Sequence, residues 1–172
     1  MTIVSCTLSD TEEIFRLYRL ATEYQKTKAS VLWPEFEREM VLQEIEEKRQ
    51  WKIIIDDVIA CVFATTFNDP LIWEEKDKDP SVYIHRIATD PKFRGNNFVV
   101  AIVKWAKAYA KENNKNFIRL DTVGENKGLI NYYQKCGFNF LGLFKLSDTK
   151  NLPAHYHNAS VSLFEIALQT SA

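Results

Sequence analysis

A mixed, mostly antiparallel β-sheet of six or seven strands with about four flanking helices is the α/β (α+β) fold class that this 172-residue sequence predicts. Three observations predict it. Segments rich in β-branched and aromatic residues near the front are joined by a tight acidic turn, as in a hairpin. One long amphipathic segment lies between two further strand-like segments, as in a parallel strand-helix-strand unit, and two more strand-like segments close the chain. The length suits one domain, so residues 1–172 are expected to form a single domain. With 46% hydrophobic and 26% charged residues, the chain has the mixture of a folded globular protein rather than a disordered one.

Taken in order, Ile3 to Cys6 is a short apolar start. Ile14, Leu17, Tyr18 and Ala21 recur at helical spacing, which predicts a helix over Asp10 to Tyr24 with Ser9 and Glu12 as its capping box. Pro34 suits a first helical position, and Phe36, Met40, Val41 and Ile45 continue a second helix to about Arg49. Trp51 to Ile55 and Val58 to Phe67 read as a hairpin turning at Asp56-Asp57, and the acidic stretch Asn68 to Pro80 as a loop. Ser81 to Thr89 is another strand. From Phe98 to Glu112, Phe98, Ile102, Trp105, Ala106 and Tyr109 share one helix face while Lys104, Lys107 and Lys111 share the other. Phe117 to Val123 is a strand, Lys127 to Lys135 a helix capped by Asn126, and Phe138 to Lys145 and Ser160 to Leu168 are closing strands.

Charge and composition exclude several classes. Twenty-two basic against twenty-three acidic residues leave a net charge of -1, which argues against a nucleic-acid partner. Cys6, Cys61 and Cys136 are odd in number and unpaired in spacing, as expected of reduced thiols. The longest apolar run, Val58 to Ala64, falls far short of the roughly 20 residues that cross a bilayer, and the start carries acid where a signal peptide carries base. A cytoplasmic protein with no membrane contact is expected, as a monomer or a homodimer.

The chemistry-bearing residues gather around the strand-helix-strand unit, where ligands sit at the carboxyl ends of parallel strands, here beside Thr89 and Val123. The segment Ile87-Ala88-Thr89-Asp90-Pro91-Lys92-Phe93-Arg94-Gly95-Asn96-Asn97-Phe98-Val99 leads from a strand through a basic turn into the long helix. Free amides at a helix start bind anions, phosphates above all, although many such turns bind nothing. A GxGxxG dinucleotide motif is absent. Further on, the string GENKGLINYYQKCGF carries Asn126, Tyr133, Gly137 and Phe138.

Together, in this order and separation, the two segments resemble the acyl-CoA signature of the GNAT superfamily of N-acetyltransferases: a strand ending near Asp-Pro, then Arg-Gly-x-Gly-x-Gly or Ala, and later Asn, Tyr and Gly-Phe. The likeness at sequence level spans about residues 81 to 140. It implies a splayed central parallel pair, with acetyl-CoA as acyl donor. Backbone groups of Ile87, Ala88 and Thr89 would pair with pantetheine. The amides of Arg94, Gly95, Asn96, Asn97, Phe98 and Val99 would hold the pyrophosphate, with the Arg94 side chain steadying the turn. Asn126 would contact the pantetheine arm or order its loop, and the Tyr133 hydroxyl would point at the sulfur.

Two positions depart from the pattern. Asn97 replaces the second motif glycine, a substitution asparagine suits because it tolerates positive φ. Val99 replaces the third small residue; its methyls would either crowd the phosphate or face the core.

Tyr133 is the candidate acid for the departing thiolate, its alternative being a core aromatic. His85, on the central strand with Tyr83 and Ile87 expected on the same side, is the candidate base implied by the resemblance, its alternative being a packed histidine. Asp121 and Glu125 are weaker base candidates. His155 and His157 lack companion ligands, so no metal is expected. The acidic loop reads as a solvated turn, and Trp33, Phe36 and Trp73 as core or as lining of an acceptor pocket. The implied activity is direct transfer of an acetyl group to a primary amine on a small molecule or peptide. The alternatives are a non-catalytic acyl-CoA-binding or regulatory module and a purely structural domain.

Overall fold

The computed structural model describes residues 1–28 and 31–169. Its seven strands are β1 (Thr2–Ser5), β2 (Gln50–Ile55), β3 (Val58–Thr66), β4 (Ser81–Thr89), β5 (Phe117–Val123), β6 (Asn139–Lys145) and β7 (Ser160–Ala167), in the sheet order β1-β2-β3-β4-β5-β7-β6. β4 and β5 pair in parallel; β1-β2, β2-β3, β5-β7 and β6-β7 are antiparallel. The helices are α1 (Thr11–Thr27), α2 (Arg38–Glu46), α3 (Pro70–Trp73), α4 (Phe98–Glu112) and α5 (Lys127–Lys135).

Residue contacts divide the chain into two compact units, Met1–Thr65 with His85–Phe98, and Thr66–Ile84 with Val99–Ala172. In the first unit, Asp56 and Asp57 both take positive φ, 48° and 60°, the pair of values a two-residue hairpin turn needs to match strand twist. Ile14, Leu17 and Tyr18 of α1 and Val41 and Ile45 of α2 form a core with Val62 and Ala88. Their spacing of three and four residues puts them on one face of each helix. Burying each such side chain contributes about 1.5–3 kcal/mol.

The second unit has its own core of Ile72, Trp73, Tyr83, Leu146, Tyr156, Val161 and Leu163. On α4, Ile102, Ala106 and Ala110 are fully buried while Lys104, Lys107 and Lys111 are exposed. Trp105 and Tyr109, grouped with the apolar face by their spacing, are half-buried and stack at 4.8 Å, with Phe67 continuing the stack at 5.9 Å from Tyr109.

Several local expectations need correction. The capping box is formed by Thr7 and Asp10, not Ser9 and Glu12: the Asp10 carboxylate accepts from the Thr7 amide at 2.7 Å, because the chain enters α1 through a 3-10 turn, Leu8–Asp10. α1 runs on to Thr27, and α2 begins at Arg38 rather than Pro34. The stretch expected as a solvated acidic loop contains α3 and a 3-10 turn, Glu74–Lys78. Glu74, Glu75 and Asp79 stay exposed, as a solvated turn requires, while three acids of the stretch also accept hydrogen bonds. Asp77 accepts from the Asp69 amide at 2.7 Å, Glu74 from the Ser147 hydroxyl at 2.7 Å, and Asp79 from Arg119 at 2.8 Å.

Candidate active site

The parallel register of β4 and β5 covers Ser81 with Phe117, Val82 with Ile118 and Tyr83 with Arg119, and the later residues of both strands lie outside it. At the third pair the side chains also meet, Arg119 Nη1 donating to the Tyr83 hydroxyl at 3.3 Å. Arg119 is 1% exposed, and it donates further to the Lys76 carbonyl at 2.6 Å, Asp79 at 2.8 Å and Glu165 at 2.7 Å. The paired end of the strands in the second unit is therefore riveted by one arginine.

In the first unit, β4 departs from regular geometry at Arg86, whose φ is +50°. Such a conformation costs a residue with a Cβ about 1–3 kcal/mol and persists only where its surroundings impose it. The break falls between His85 and Ile87, so the alternation expected to carry those two side chains to one side is interrupted there. His85 and Ile87 are half-buried and Ala88 is 1% exposed. The strand's end stays with β3: the Asp90 amide donates to the Ala60 carbonyl at 2.9 Å, and the Thr89 hydroxyl lies 3.6 Å from the Cys61 sulfur.

Asp90 then anchors the turn. Its buried carboxylate accepts from the Lys92 amide at 2.9 Å and from Arg16 of α1 at 2.6 Å. Burial raises such a carboxyl, but the Arg16 and Lys92 bonds overcome it and hold Asp90 below the usual carboxylate range. Arg94 lays its guanidinium over the ring of Tyr24, also on α1, at 3.8 Å from the centroid. Gly95 takes φ +89°, the Asn96 side chain donates to the Phe93 carbonyl at 2.7 Å, and Asn97 takes φ +53°. Asparagine thus adopts the left-handed conformation that a glycine supplies at no steric cost. Val99 is 6% exposed, so its methyls are packed in the interior rather than standing over the first amides of α4. Those amides have no partner within the helix, whose first turn leaves its N–H groups unspent.

In the second unit, Asn126 caps α5, its side-chain oxygen accepting from the Leu129 amide at 3.1 Å. The other end of α5 explains the Tyr-x-x-x-Gly-Phe spacing. Gly137, at φ +103°, donates to the Gln134 carbonyl at 3.0 Å, and the Phe138 amide reaches the Tyr133 carbonyl at 3.1 Å. This double bond pattern is a Schellman cap, which brings the residue after the glycine against the third residue from the helix end. That contact is Phe138 on Tyr133, edge to face at 6.0 Å, with Phe164 a further 5.1 Å neighbour of the Tyr133 ring. Tyr133 is half-buried and held by aromatic rings; Tyr132 is the exposed neighbour.

The remaining candidates fall into place around these. Asp121 accepts from the Tyr156 hydroxyl at 2.7 Å, and His155 lies on the Tyr156 ring at 4.2 Å. His157 Nε2 lies 2.9 Å from the Leu152 carbonyl, so that nitrogen carries the proton. Trp73 is core, 2% exposed. Trp33 and Phe36, with Phe15 and Tyr18, line a groove of about 240 Å³ in the first unit whose rim carries Arg19, Glu23 and Glu35. Burial pushes the Cys6 and Cys61 thiols up to about 12, which leaves neither a ready nucleophile at neutral pH. Sequence reasoning passed over Glu44, Arg86 and Arg119. The available signal was an arginine inside each of two strand-like, otherwise apolar segments, where an unpaired charge is not tolerated.

The mixed seven-stranded sheet, with β4 and β5 paired in parallel and a positive-φ turn leading from β4 into α4, is the α/β architecture expected from the sequence. Residues 11–138 match the Acetyltransferase (GNAT) family, and the chain belongs to that family. It is 30% identical over 74 residues to the uncharacterized N-acetyltransferase YesJ of Bacillus subtilis (strain 168), an alignment covering 43% of this chain and 41% of that protein. The matched part thus spans less than half of that curated relative. Its fold is similar to that of an acetyltransferase of the GNAT family from Listeria monocytogenes 4b F2365, with a TM-score of 0.76 at 22% identity over 97% of this chain and 94% of that one. It is also similar to yncA from Salmonella typhimurium, solved with its cofactor acetyl-CoA, with a TM-score of 0.70 at 13% identity over 100% and 96% of the two chains. Among the described residues, no helix is long and apolar enough to cross a membrane.

Proposed function

We propose that this protein is an acetyl-CoA-dependent N-acetyltransferase of the cytoplasm that transfers an acetyl group directly to a primary amine. The observation that carries the reading is the turn Arg94–Phe98: Asn97 takes the backbone conformation of the glycine it replaces, and Val99 packs inward, so the α4 amides are left uncrowded. The segment Arg94 to Val99 holds the pyrophosphate, chiefly on the amides of Gly95, Asn97, Phe98 and Val99, since those of Arg94 and Asn96 already donate to the Pro91 and Phe93 carbonyls at 3.4 Å. The backbone of Ile87, Ala88 and Thr89 pairs with the pantetheine arm. Asn126 orders the start of α5.

Bound acetyl-CoA supplies the thioester carbonyl that the amine attacks. An amine near the lysine value of about 10.4 is protonated at neutral pH, and removing the proton costs roughly 4–5 kcal/mol. His85, directly or through water, takes that proton. A β4 backbone amide donates to the developing oxyanion. The C–N bond forms as the C–S bond breaks, the Tyr133 hydroxyl gives its proton to the departing sulfur, and the proton that the new amide nitrogen sheds restores the tyrosine through water.

Calorimetric titration with CoA, followed by a thiol-release assay with acetyl-CoA over a broad panel of amines, tests the reading. CoA uptake and amine-dependent thiol release are expected. Uptake with no release on any amine would leave a binding module, and no uptake would remove the acyl-CoA reading altogether.

A further inference from the structure

Arg86 breaks the local rules of its strand. Among the described residues it is the one non-glycine residue inside a β-strand with positive φ. A backbone of that kind is disfavoured for any residue with a Cβ, and nothing in the Arg side chain itself relieves the crowding. The surroundings supply the reason. The guanidinium is buried, with the side chain 14% exposed, and Nη2 donates to Glu44 Oε1 at 2.5 Å and also to Oε2. Nε donates to the Tyr18 hydroxyl at 3.2 Å. Gln50, fully buried, donates from one amide nitrogen to both Glu44 and the Tyr18 hydroxyl, each at 2.9 Å. Phe36 completes the enclosure, its ring centroid 5.3 Å from the guanidinium carbon.

A buried ion pair is weak evidence for stability, because apolar residues of similar volume often serve as well. It is better evidence for direction. The four bonded side chains come from α1, α2, β2 and β4, and they reward a single backbone at Arg86, the one that carries its guanidinium toward Glu44 and Tyr18. Four residues later the chain is again tied to β3 through Asp90 and Ala60. The peptide groups between, Ile87 to Thr89, are the ones assigned above to pantetheine.

We infer that the Glu44–Arg86 ion pair is a positioning device for the acyl donor: it holds β4 in its broken geometry and so keeps the peptide groups of Ile87 to Thr89 presented for pairing. The inference rests on the acyl-CoA reading and adds to it that α2, through one carboxylate, sets the donor platform. Neither side chain touches the donor. Without the pair, the bulged backbone becomes a minority conformer, and apparent affinity falls by the fraction that remains competent.

Glycine distinguishes this role from a merely structural one, since it adopts φ +50° without a partner. CoA affinity is measured by calorimetry for wild type, Arg86→Ala and Arg86→Gly at a temperature where circular dichroism shows each folded. Arg86→Ala is expected to bind CoA at least about tenfold more weakly, and Arg86→Gly within about threefold of wild type even if its melting temperature drops as far as that of the alanine variant. Should Arg86→Ala leave Glu44 too exposed to an apolar interior to fold, the double variant Glu44→Leu with Arg86→Ala removes both charges and carries the same expectation. Unchanged CoA affinity in the alanine variant overturns the inference, as does an equal loss in the glycine variant. A wild type that takes up no CoA refutes the acyl-CoA reading instead.

Discussion

Arg119 and Tyr83 are partners twice over, in the register of the parallel strands and through a side-chain hydrogen bond of 3.3 Å. Burial works against the Arg119 charge, but Asp79, Tyr83 and Glu165 more than offset it and strengthen its hold on the proton. Replacing it by methionine keeps most of the volume and strips Glu165 and Asp79 of their cation. A loss of about 3–5 kcal/mol is expected from urea unfolding, the range for breaking a buried pair on one side. Asp79 is half exposed, so the lower end of that range is the better figure. A loss below about 1 kcal/mol would mean that the rivet is ornamental.

Asp90 ties the turn between β4 and α4 to α1, and its pH dependence follows from the direction of its shift. Its folded carboxyl titrates below the ordinary value of 3.8, because Arg16 and the Lys92 amide outweigh burial. The stability it contributes is therefore complete above that ordinary value and disappears as pH falls through the lower folded one. Asp90→Asn is expected to cost about 1–3 kcal/mol at pH 6 and much less at pH 2.5, measured by urea titration at the two pH values. Equal losses at both would show that the carboxylate charge plays no part.

Periodicity made the strands and the long helix legible: β4, α4, β5 and α5 have the limits their residue patterns predict. What escaped was punctuation set by distant contacts. Thr7 and Asp10 displace the Ser9 cap because Asp10 is also held by Lys52 of β2 at 2.7 Å, a partner no local window contains. The helix α3 hides in an acidic stretch whose exposed carboxylates are fixed by Arg119 and Ser147, residues far away in sequence. The positive φ at Asn97 was readable from asparagine's own tolerance; the one at Arg86 was not, since the partner that rewards it, Glu44, lies on the separate element α2. Local chemistry reads locally, and tertiary override does not.

Gly137 is the stop of α5, at φ +103° with open space where a Cβ would stand. Steric room does not remove the backbone penalty, so Gly137→Ala is expected to cost about 1–2 kcal/mol. The Asn126→Ala cap variant at the other end is expected to cost about 1 kcal/mol. Thermal unfolding measures both. The two differ in reach, because the C-terminal cap also seats Phe138 on Tyr133. If thiol release falls more for Gly137→Ala than for a core variant of equal stability, the cap aligns the tyrosine as well as ending the helix.

Tyr133 combines a seat among aromatic rings with the hydroxyl proposed as proton donor, and the two contributions separate by substitution. Its ring lies 5.1 Å from that of Phe164 and 6.0 Å from that of Phe138, contacts that Tyr133→Phe keeps in full. Only the hydroxyl is lost. If that hydroxyl protonates the leaving sulfur, kcat falls by about a hundredfold, in the range for a positioned general acid, while CoA affinity stays within a few-fold. Tyr133→Leu loses the ring contacts too, so it should add a stability defect to the same catalytic loss. A phenylalanine variant that turns over at the wild-type rate would transfer the proton to solvent or to another donor, and the half-buried ring would then be a packing residue alone.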